Sequence, residues 1–368
     1  LQLSVVILNY NVCHFLELCL RSVEAALVHL DAEIIVVDNL SQDDSCIMVK
    51  RQFPKVKLIE NSENYGFSKG NNIGVAQAKG NYICILNPDT VVAEDTFERL
   101  LKFSEAKKNS GIVGCRLIDG QGRFLPESKR HIPKPLVAVK KMLGISKPYY
   151  VSHLDDKSIG QVSVLVGAFM LLPKAVYDQV NGFDEDYFMY GEDIDLSYKV
   201  TQAGYTNLYN GEITAIHYKG ESTLKDKTYA KRFYGAMQIF YNKHFKSNII
   251  FDILVWLGIK IMPLIKGDTK NKKQRIDAYK LVSSEMIMPL KKVLAQDITL
   301  QSHFNSYENN TEYILDNNQF SFKSIIQILS DRPKNCSATF KILPKNSNFI
   351  LGSNDSKSRG EVITFKNN

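Results

Sequence analysis

The chain lacks most of the signals that assign a function directly. It has no Cys-x-x-Cys pair: its six cysteines, Cys13, Cys19, Cys46, Cys84, Cys115 and Cys336, are scattered. Two of them, Cys84 and Cys115, sit in apolar runs, which fits buried free thiols in a reducing compartment. It lacks a strong charge of either sign. A formal charge of +7 over 368 residues suits a phosphate-bearing ligand or an anionic membrane surface but does not imply nucleic acid. It lacks an unbroken membrane-length apolar run, because "NIIFDILVWLGIKIMPLI" is interrupted by Asp252, Lys260 and Pro263. The opening "LQLSVVILNY" has neither the basic flank nor the small-residue cleavage site of a signal peptide and reads as a first core strand. No internal repeat and no P-loop is present. The run Gly66-x3-Gly70-x3-Gly74 does not have the dinucleotide-binding spacing and follows the third strand rather than the first, which excludes an NAD-dependent dehydrogenase.

What is present is ordinary globular material, 44% hydrophobic and 23% charged, enough for two domains or one large domain with an appendage. Strand and helix patterns alternate in the first quarter. "LSVVILN", "EIIVVDN", "VKLIEN" and "YICILN" are short apolar runs. Between them, "HFLELCLRSVEAAL" places Phe15, Leu16, Cys19, Leu20, Val23 and Leu27 on one helical face, a short helix runs to Phe53, and "FSKGNNIGVAQAK" reads as a helix. Runs buried on both faces and joined by helices indicate a parallel sheet covered on both sides.

Ligands of such sheets bind at the carboxyl ends of the strands. Here those ends carry Asn9-Tyr10-Asn11, Asp38-Asn39, Asn61 to Gly66, and Asn87-Pro88-Asp89. Each alone reads as turn chemistry; together they line one edge, which favours a ligand crevice. Pro88 cannot continue a sheet ladder, so "CILNPDT" must leave its strand there and present Asp89 just beyond it. In the glycine run, Asn64 and Asn71 could hydrogen-bond a nucleotide; the alternative is a helix whose small residues pack on the sheet.

The middle of the chain is less regular. "GIVGCRLID" and "DGQGRF" suggest a strand and hairpin, residues 129–160 have no period and read as a loop region over the site, and "VSVLVGAFMLLP" reads as a buried strand followed by a short helix. A helix starting near Glu192 would place Asp193 on the side of Leu196 and Val200, the apolar face, while Asp195 would point outward and pair with Lys199 at i+4. An inward carboxylate after the aromatic run Tyr187, Phe188 and Tyr190 is a candidate general base, with Glu192 next in line and a helix-start cap as the structural alternative. His217, at the end of an apolar run, would make an oxygen-plus-nitrogen site with Asp89, suited to Mg²⁺ or Mn²⁺ sharing its coordination with phosphate oxygens.

"VVILNYN", "IIVVDNLSQDDS", "NYGFSKGNNIG", "LNPDT", "VGAFMLLPKAVYDQVNGFDEDYFMYGEDIDLSYK" and "AIHYKGES" occur in one order over about residues 3–225. In that combination the chain resembles a family 2 glycosyltransferase of the GT-A fold, in the branch of bacterial rhamnosyltransferase-like enzymes. The resemblance implies a Rossmann-like, mostly parallel nucleotide-sugar-binding sheet flanked by helices. It implies that Asp38 bonds the base of a nucleoside-diphosphate sugar beside the backbone near Asn9, and that Asn64 and Gly66 lie along the nucleoside. It gives Asp89 the metal, as the second acid of a DxD motif, with His217 near the metal and diphosphate, and Asp193 the role of base. The departure is Asn87, which stands where the motif has its first acid. An inverting transfer from a UDP- or dTDP-linked sugar to a saccharide or polyprenyl-linked acceptor, in cytoplasmic cell-envelope polysaccharide synthesis, is the implied activity.

The expected organisation is a catalytic domain over 1–225, a helical extension over 226–294 and a small α/β appendage over 295–368. A basic cluster from Lys266 to Arg275 follows the apolar stretch, so 246–275 could lie on the inner membrane face. Two other readings compete. A sugar-nucleotide pyrophosphorylase would need a glycine-rich basic loop after the first strand, where "NYNVCHF" stands. A non-catalytic nucleotide-sugar-binding protein would be marked by loss of Asp89 or Asp193, and both are present.

Overall fold

A computed structural model describes residues 1–133, 149–219, 227–245, 275–294, 297–354 and 360–366. Its first sheet contains β1 (Leu3–Asn9), β2 (Ala32–Asp38), β3 (Lys57–Glu60), β4 (Tyr82–Leu86), β5 (Thr90–Val91), β6 (Ser110–Ile118), β7 (Ile159–Gln161), β8 (Phe169–Pro173) and β9 (Thr206–His217). The strand order is β3-β2-β1-β4-β8-β6-β9-β5, with β7 on β9. The β3-β2-β1-β4 block is parallel throughout, and β8 enters antiparallel between β4 and β6.

The apolar runs of β1, β2 and β4 are continuous because these strands are covered on both faces. Val5, Ile7, Val36, Cys84 and Leu86 pack with Leu16, Cys19, Leu20 and Val23 of helix Cys13–Ala26 and with Leu100 and Leu101 of helix Thr96–Glu105. Val6, Ile35, Val37, Ile83 and Ile85 face the other way, toward Val75 of helix Gly66–Ala76 and Leu196 and Val200 of helix Glu192–Gln202. Each such side chain contributes about 1.5–3 kcal/mol on burial. Gly74 makes the second layer close: a Cβ there would lie 2.5 Å from Val6 Cγ1. Helix Ser45–Gln52 follows β2, and helix Lys174–Gln179 follows Pro173. All six cysteines are free, with Cys84 and Cys115 buried as expected.

A second sheet contains β10 (Ala278–Val282), β11 (Ile298–Gln301), β12 (Thr311–Asp316), β13 (Thr339–Leu343), β14 (Phe349–Gly352) and β15 (Glu361–Thr364), in the order β11-β10-β12-β13-β14-β15. It includes helices Met288–Val293 and Phe322–Ser330. The sheet shares a core with the first unit: Val12, Phe15, Leu18 and Tyr218 pack with Tyr313, Phe322, Ile325, Phe340 and Phe349. Helix Cys13–Ala26 is therefore covered on two sides, by Leu16 and Leu20 toward the first sheet and Phe15 and Leu18 toward the second. The Glu94 carboxylate accepts the Phe322 and Lys323 amides at 2.7 and 2.9 Å, capping a helix of the second unit from the first.

Several expectations change. Ala278–Val282, expected in a helical extension over 226–294, is a strand of the second sheet, so that α/β unit takes in residues upstream of 295. Helix Lys227–His244 lies where the helical extension was expected and joins the first unit through Ala236, Met237, Phe240 and Tyr241. Of "VSVLVGAFMLLP", only Phe169–Pro173 is strand; the preceding residues turn inward to build the site. Within the aperiodic 129–160 region, Arg130 and His131 pair with Val164 and Tyr149. The stretch 246–274, where membrane contact was expected, lies outside the described residues. Among those described, no helix is long and apolar enough to cross a membrane.

Candidate functional site

The carboxyl ends of β1 and β2 meet in register, with Asn9 opposite Asp38. Asn9 Nδ2 donates to Asp38 Oδ1 at 2.7 Å and to Ser41 Oγ at 3.1 Å, and the Ser41 amide donates to Asp38 Oδ2 at 2.8 Å. Asp38 is thereby held in one orientation with further lone pairs available, and Asn9 Oδ1 is buried without a hydrogen bond. Asn11 serves the turn: its φ is +56°, its amide donates to Ser41 Oγ at 2.9 Å, and its Oδ1 accepts the Gln42 amide at 2.6 Å.

The next wall is the loop after β3. Asn64 Oδ1 accepts the Gly66 amide at 3.0 Å, while Asn39 Nδ2 donates to the Gly66 carbonyl at 3.0 Å. Gly66 has φ +78°, and a Cβ there would fall 2.3 Å from the Phe188 carbonyl oxygen. Only glycine lets this loop lie against the segment that leads into helix Glu192–Gln202. Asn71 donates from Nδ2 to the Phe67 carbonyl at 3.0 Å and is fully buried, so it braces the helix from inside; its Oδ1 has no hydrogen bond. The packing reading of the glycine run is met at Gly74, and Asn71, expected to reach a nucleotide, is instead turned into the helix packing.

Asp89 and His217 come together, although 128 positions separate them, because β5 pairs antiparallel with β9 and sets Thr90 opposite His217. The Tyr218 amide donates to the Asp89 carbonyl at 3.0 Å, and His217 Nε2 lies 3.3 Å from Asp89 Oδ1. Asn87 Nδ2 is 3.3 Å from the same imidazole nitrogen. Both Asp89 and His217 are buried, and Asp89 Oδ1 makes no hydrogen bond. Two donors each about 2.1 Å from one octahedral ion stand about 3 Å apart. The pair therefore fits a Mg²⁺ or Mn²⁺ ion. Among the described residues there is no group of three or more His, Cys, Asp or Glu suited to a metal.

The third corner is the start of helix Glu192–Gln202. Tyr190 and Gly191 take φ values of +71° and +81° to turn the chain into it. Asp193 is inward, as its spacing predicts: Oδ2 accepts from Arg130 Nη2 at 2.5 Å and the Gly167 amide at 3.2 Å, and Oδ1 accepts the Ile194 amide at 2.8 Å. Glu192 is buried beside it. Burial first, then the Asp193 charge, pushes the Glu192 carboxyl up to about 8.

Asp195 departs from its expected place at the surface. It does lie 3.3 Å from Lys199, but it is 0% exposed and also bonds His244 Nε2 at 2.6 Å and the Tyr187 hydroxyl at 3.4 Å. Helix Lys227–His244 covers that face, which spacing along a single helix cannot reveal.

Gly167 and Ala168 tie two corners together. The Gly167 amide reaches Asp193, and the next residue's carbonyl accepts the Asn87 amide at 3.0 Å. Ser41 and Arg130 were not singled out by sequence. Ser41 lies in the polar turn after β2, a signal that was there to be used; Arg130 lies in an aperiodic stretch and carries none.

Residues 4–180 match the family model described as "Glycosyl transferase family 2". The chain is 26% identical over 242 residues to the N-acetylglucosaminyl-diphospho-decaprenol L-rhamnosyltransferase of Mycobacterium tuberculosis, covering 61% of this chain and 78% of that protein. It is 35% identical over 165 residues to rhamnosyltransferase WbbL of Escherichia coli K12, covering 42% and 61%. Among solved structures, mannosyltransferase PcManGT of Pyrobaculum calidifontis aligns at 17% identity with a TM-score of 0.48, over 69% of this chain and 68% of that one. The motifs from β1 to helix Lys174–Gln179 and the mostly parallel sheet they build agree with the family match: residues 4–180 are similar to glycosyl transferase family 2.

Proposed function

We propose that the chain is an inverting, metal-dependent glycosyltransferase that moves a sugar from a UDP- or dTDP-linked donor to a hydroxyl of a saccharide or lipid-linked acceptor. The observation that carries this reading is the Gly167–Ala168 link. One short stretch of chain bonds both the carboxylate suited to proton removal, through Gly167, and, through Ala168, the Asn87 segment beside the oxygen-and-nitrogen pair suited to a divalent ion.

In this reading Asp38, held by Asn9 and Ser41, receives the N3–H of the base, and Asn64 and Gly66 border the nucleoside. Asp193 Oδ1 accepts the proton of the acceptor hydroxyl as that oxygen attacks the anomeric carbon. The new C–O bond forms on the face opposite the breaking bond to the diphosphate, and the diphosphate leaves with the electron pair. A divalent ion held by Asp89 and His217 would offset the charge gathering on that leaving group. Inverting hydrolases need a second carboxyl as general acid; here that role is not required of the protein. Polysaccharide assembly at the cytoplasmic membrane face, with contact through 246–275, belongs to the same proposal.

The first pair to test is dTDP-rhamnose with an N-acetylglucosaminyl diphospholipid, because the M. tuberculosis relative is named for that sugar and acceptor. The product's anomeric configuration, read by the one-bond carbon–proton NMR coupling at the anomeric carbon, is expected to be opposite to the donor's. A product of retained configuration contradicts direct displacement by a single base.

A further inference from the structure

We infer that Arg130 is the positioning residue of the Asp193 carboxylate: it occupies Oδ2 and leaves Oδ1 to meet the acceptor. The inference rests on the reading of Asp193 as the base.

Arg130 belongs to no long strand or helix, yet its placement is over-determined. Its backbone exchanges hydrogen bonds with Val164, both at 3.0 Å. Its side chain is buried and spans three separate segments. Nη2 donates to Asp193 Oδ2 at 2.5 Å and to the Leu165 carbonyl at 3.1 Å, and Nη1 donates to the Tyr149 hydroxyl at 3.0 Å. The guanidinium carbon lies 5.9 Å from the Tyr149 ring centre.

The two oxygens of Asp193 are thus unequal. Oδ2 is taken by a guanidinium and the Gly167 amide, whereas Oδ1 accepts only the Ile194 amide. A base needs an open lone pair, and Oδ1 has it.

The charge matters as much as the geometry. Glu192, Asp195 and Tyr149 also act on this region. Two of these are acids close in sequence to Asp193, and each favours the neutral form of a neighbouring carboxyl. Arg130 opposes them with a charge that does not titrate. Its pairing also keeps a buried cation from standing alone. A device that only joined three loops would not need a guanidinium on the very carboxylate that takes the proton.

Carbon-13 NMR of aspartate-labelled chain reads the Asp193 carboxyl directly, with its signal assigned by its loss in Asp193→Asn. In Arg130→Met the Asp193 titration is expected to move up by about 1–3 pH units. In Arg130→Lys, which keeps the charge without the fork, it is expected to stay near that of the unmodified chain while turnover falls about tenfold or more through misplacement. Stabilisation by UDP with Mn²⁺ serves as the folding control for each variant. Should Arg130→Met not fold, Arg130→Gln carries the same expectation for the titration.

An unchanged Asp193 titration in the folded, uncharged variant overturns the inference, as does full turnover by Arg130→Lys. Near-normal turnover by Asp193→Asn overturns the assignment of the base and this inference with it. The NMR titration needs no turnover, so it separates the two failures.

Discussion

Asp193→Asn is expected to lower sugar transfer by about 10²–10⁴-fold at neutral pH, the usual contribution of a positioned base. Affinity for UDP or dTDP with Mn²⁺ is expected to change by less than about twofold. The substitution keeps the side chain's size, and an amide oxygen can still accept from Arg130 and Gly167, whose bonds now go to Oδ2. What it removes is the oxygen that accepts the proton. It also leaves the Arg130 cation facing a neutral group, and unpairing a buried charge costs about 3–5 kcal/mol at the upper end. A fall in melting temperature is therefore part of the expected result, and turnover is compared well below that temperature. Near-normal turnover by Asp193→Asn contradicts the assignment.

Asp89→Ala is expected to have the next largest effect, of opposite character. Here the nucleotide loses its metal-dependent binding as well as its turnover. Asp89 Oδ1 is buried and makes no hydrogen bond, with His217 Nε2 3.3 Å away. A buried carboxylate oxygen without a donor is costly unless something else meets it. Removing it leaves His217 and Asn87 alone beside the diphosphate. The Lewis-acid contribution amounts to several kcal/mol, so turnover is expected to fall about 10²-fold or more. Isothermal titration of UDP in Mn²⁺ and in chelator gives the comparison: the difference seen in the unmodified chain is expected to vanish in Asp89→Ala. A persistent Mn²⁺ effect in that variant shows that the ion is held elsewhere.

These two carboxylates differ in how legible they were. Asp193 could be placed from sequence because helical spacing alone puts it with Leu196 and Val200. The same spacing misplaced Asp195, since the residues that bury it come from helix Lys227–His244, and a periodicity argument sees only one element. Asp89 was legible as a residue leaving a strand at Pro88. Its meeting with His217 was not, because the two-residue strand Thr90–Val91 that pairs with β9 is too short to leave a pattern.

The first sheet was readable for a simple reason. Strands buried on both faces are continuous apolar runs, and β1, β2 and β4 are of that kind. The second unit was readable over 295–368, as an α/β appendage, but not upstream of it. Its strand Ala278–Val282 has three half-buried residues of five and follows a polar stretch, so nothing in its composition separates it from a linker. Arg130 shows the remaining limit. Its role comes from contacts with Tyr149, Leu165 and Asp193, residues 19 to 63 positions away, and no local signal encodes them.

The central claim is a nucleoside diphosphate held at the carboxyl edge of the first sheet through a divalent ion on Asp89 and His217. The direct measurement is thermal unfolding of the full chain with UDP and with dTDP, each in Mn²⁺ and in excess chelator. The expected result is stabilisation by at least one nucleotide in Mn²⁺, about 2.7 kcal/mol at a hundredfold excess over Kd, lost on chelation. No stabilisation by either nucleotide in Mn²⁺, or an equal stabilisation with chelator present, would contradict it.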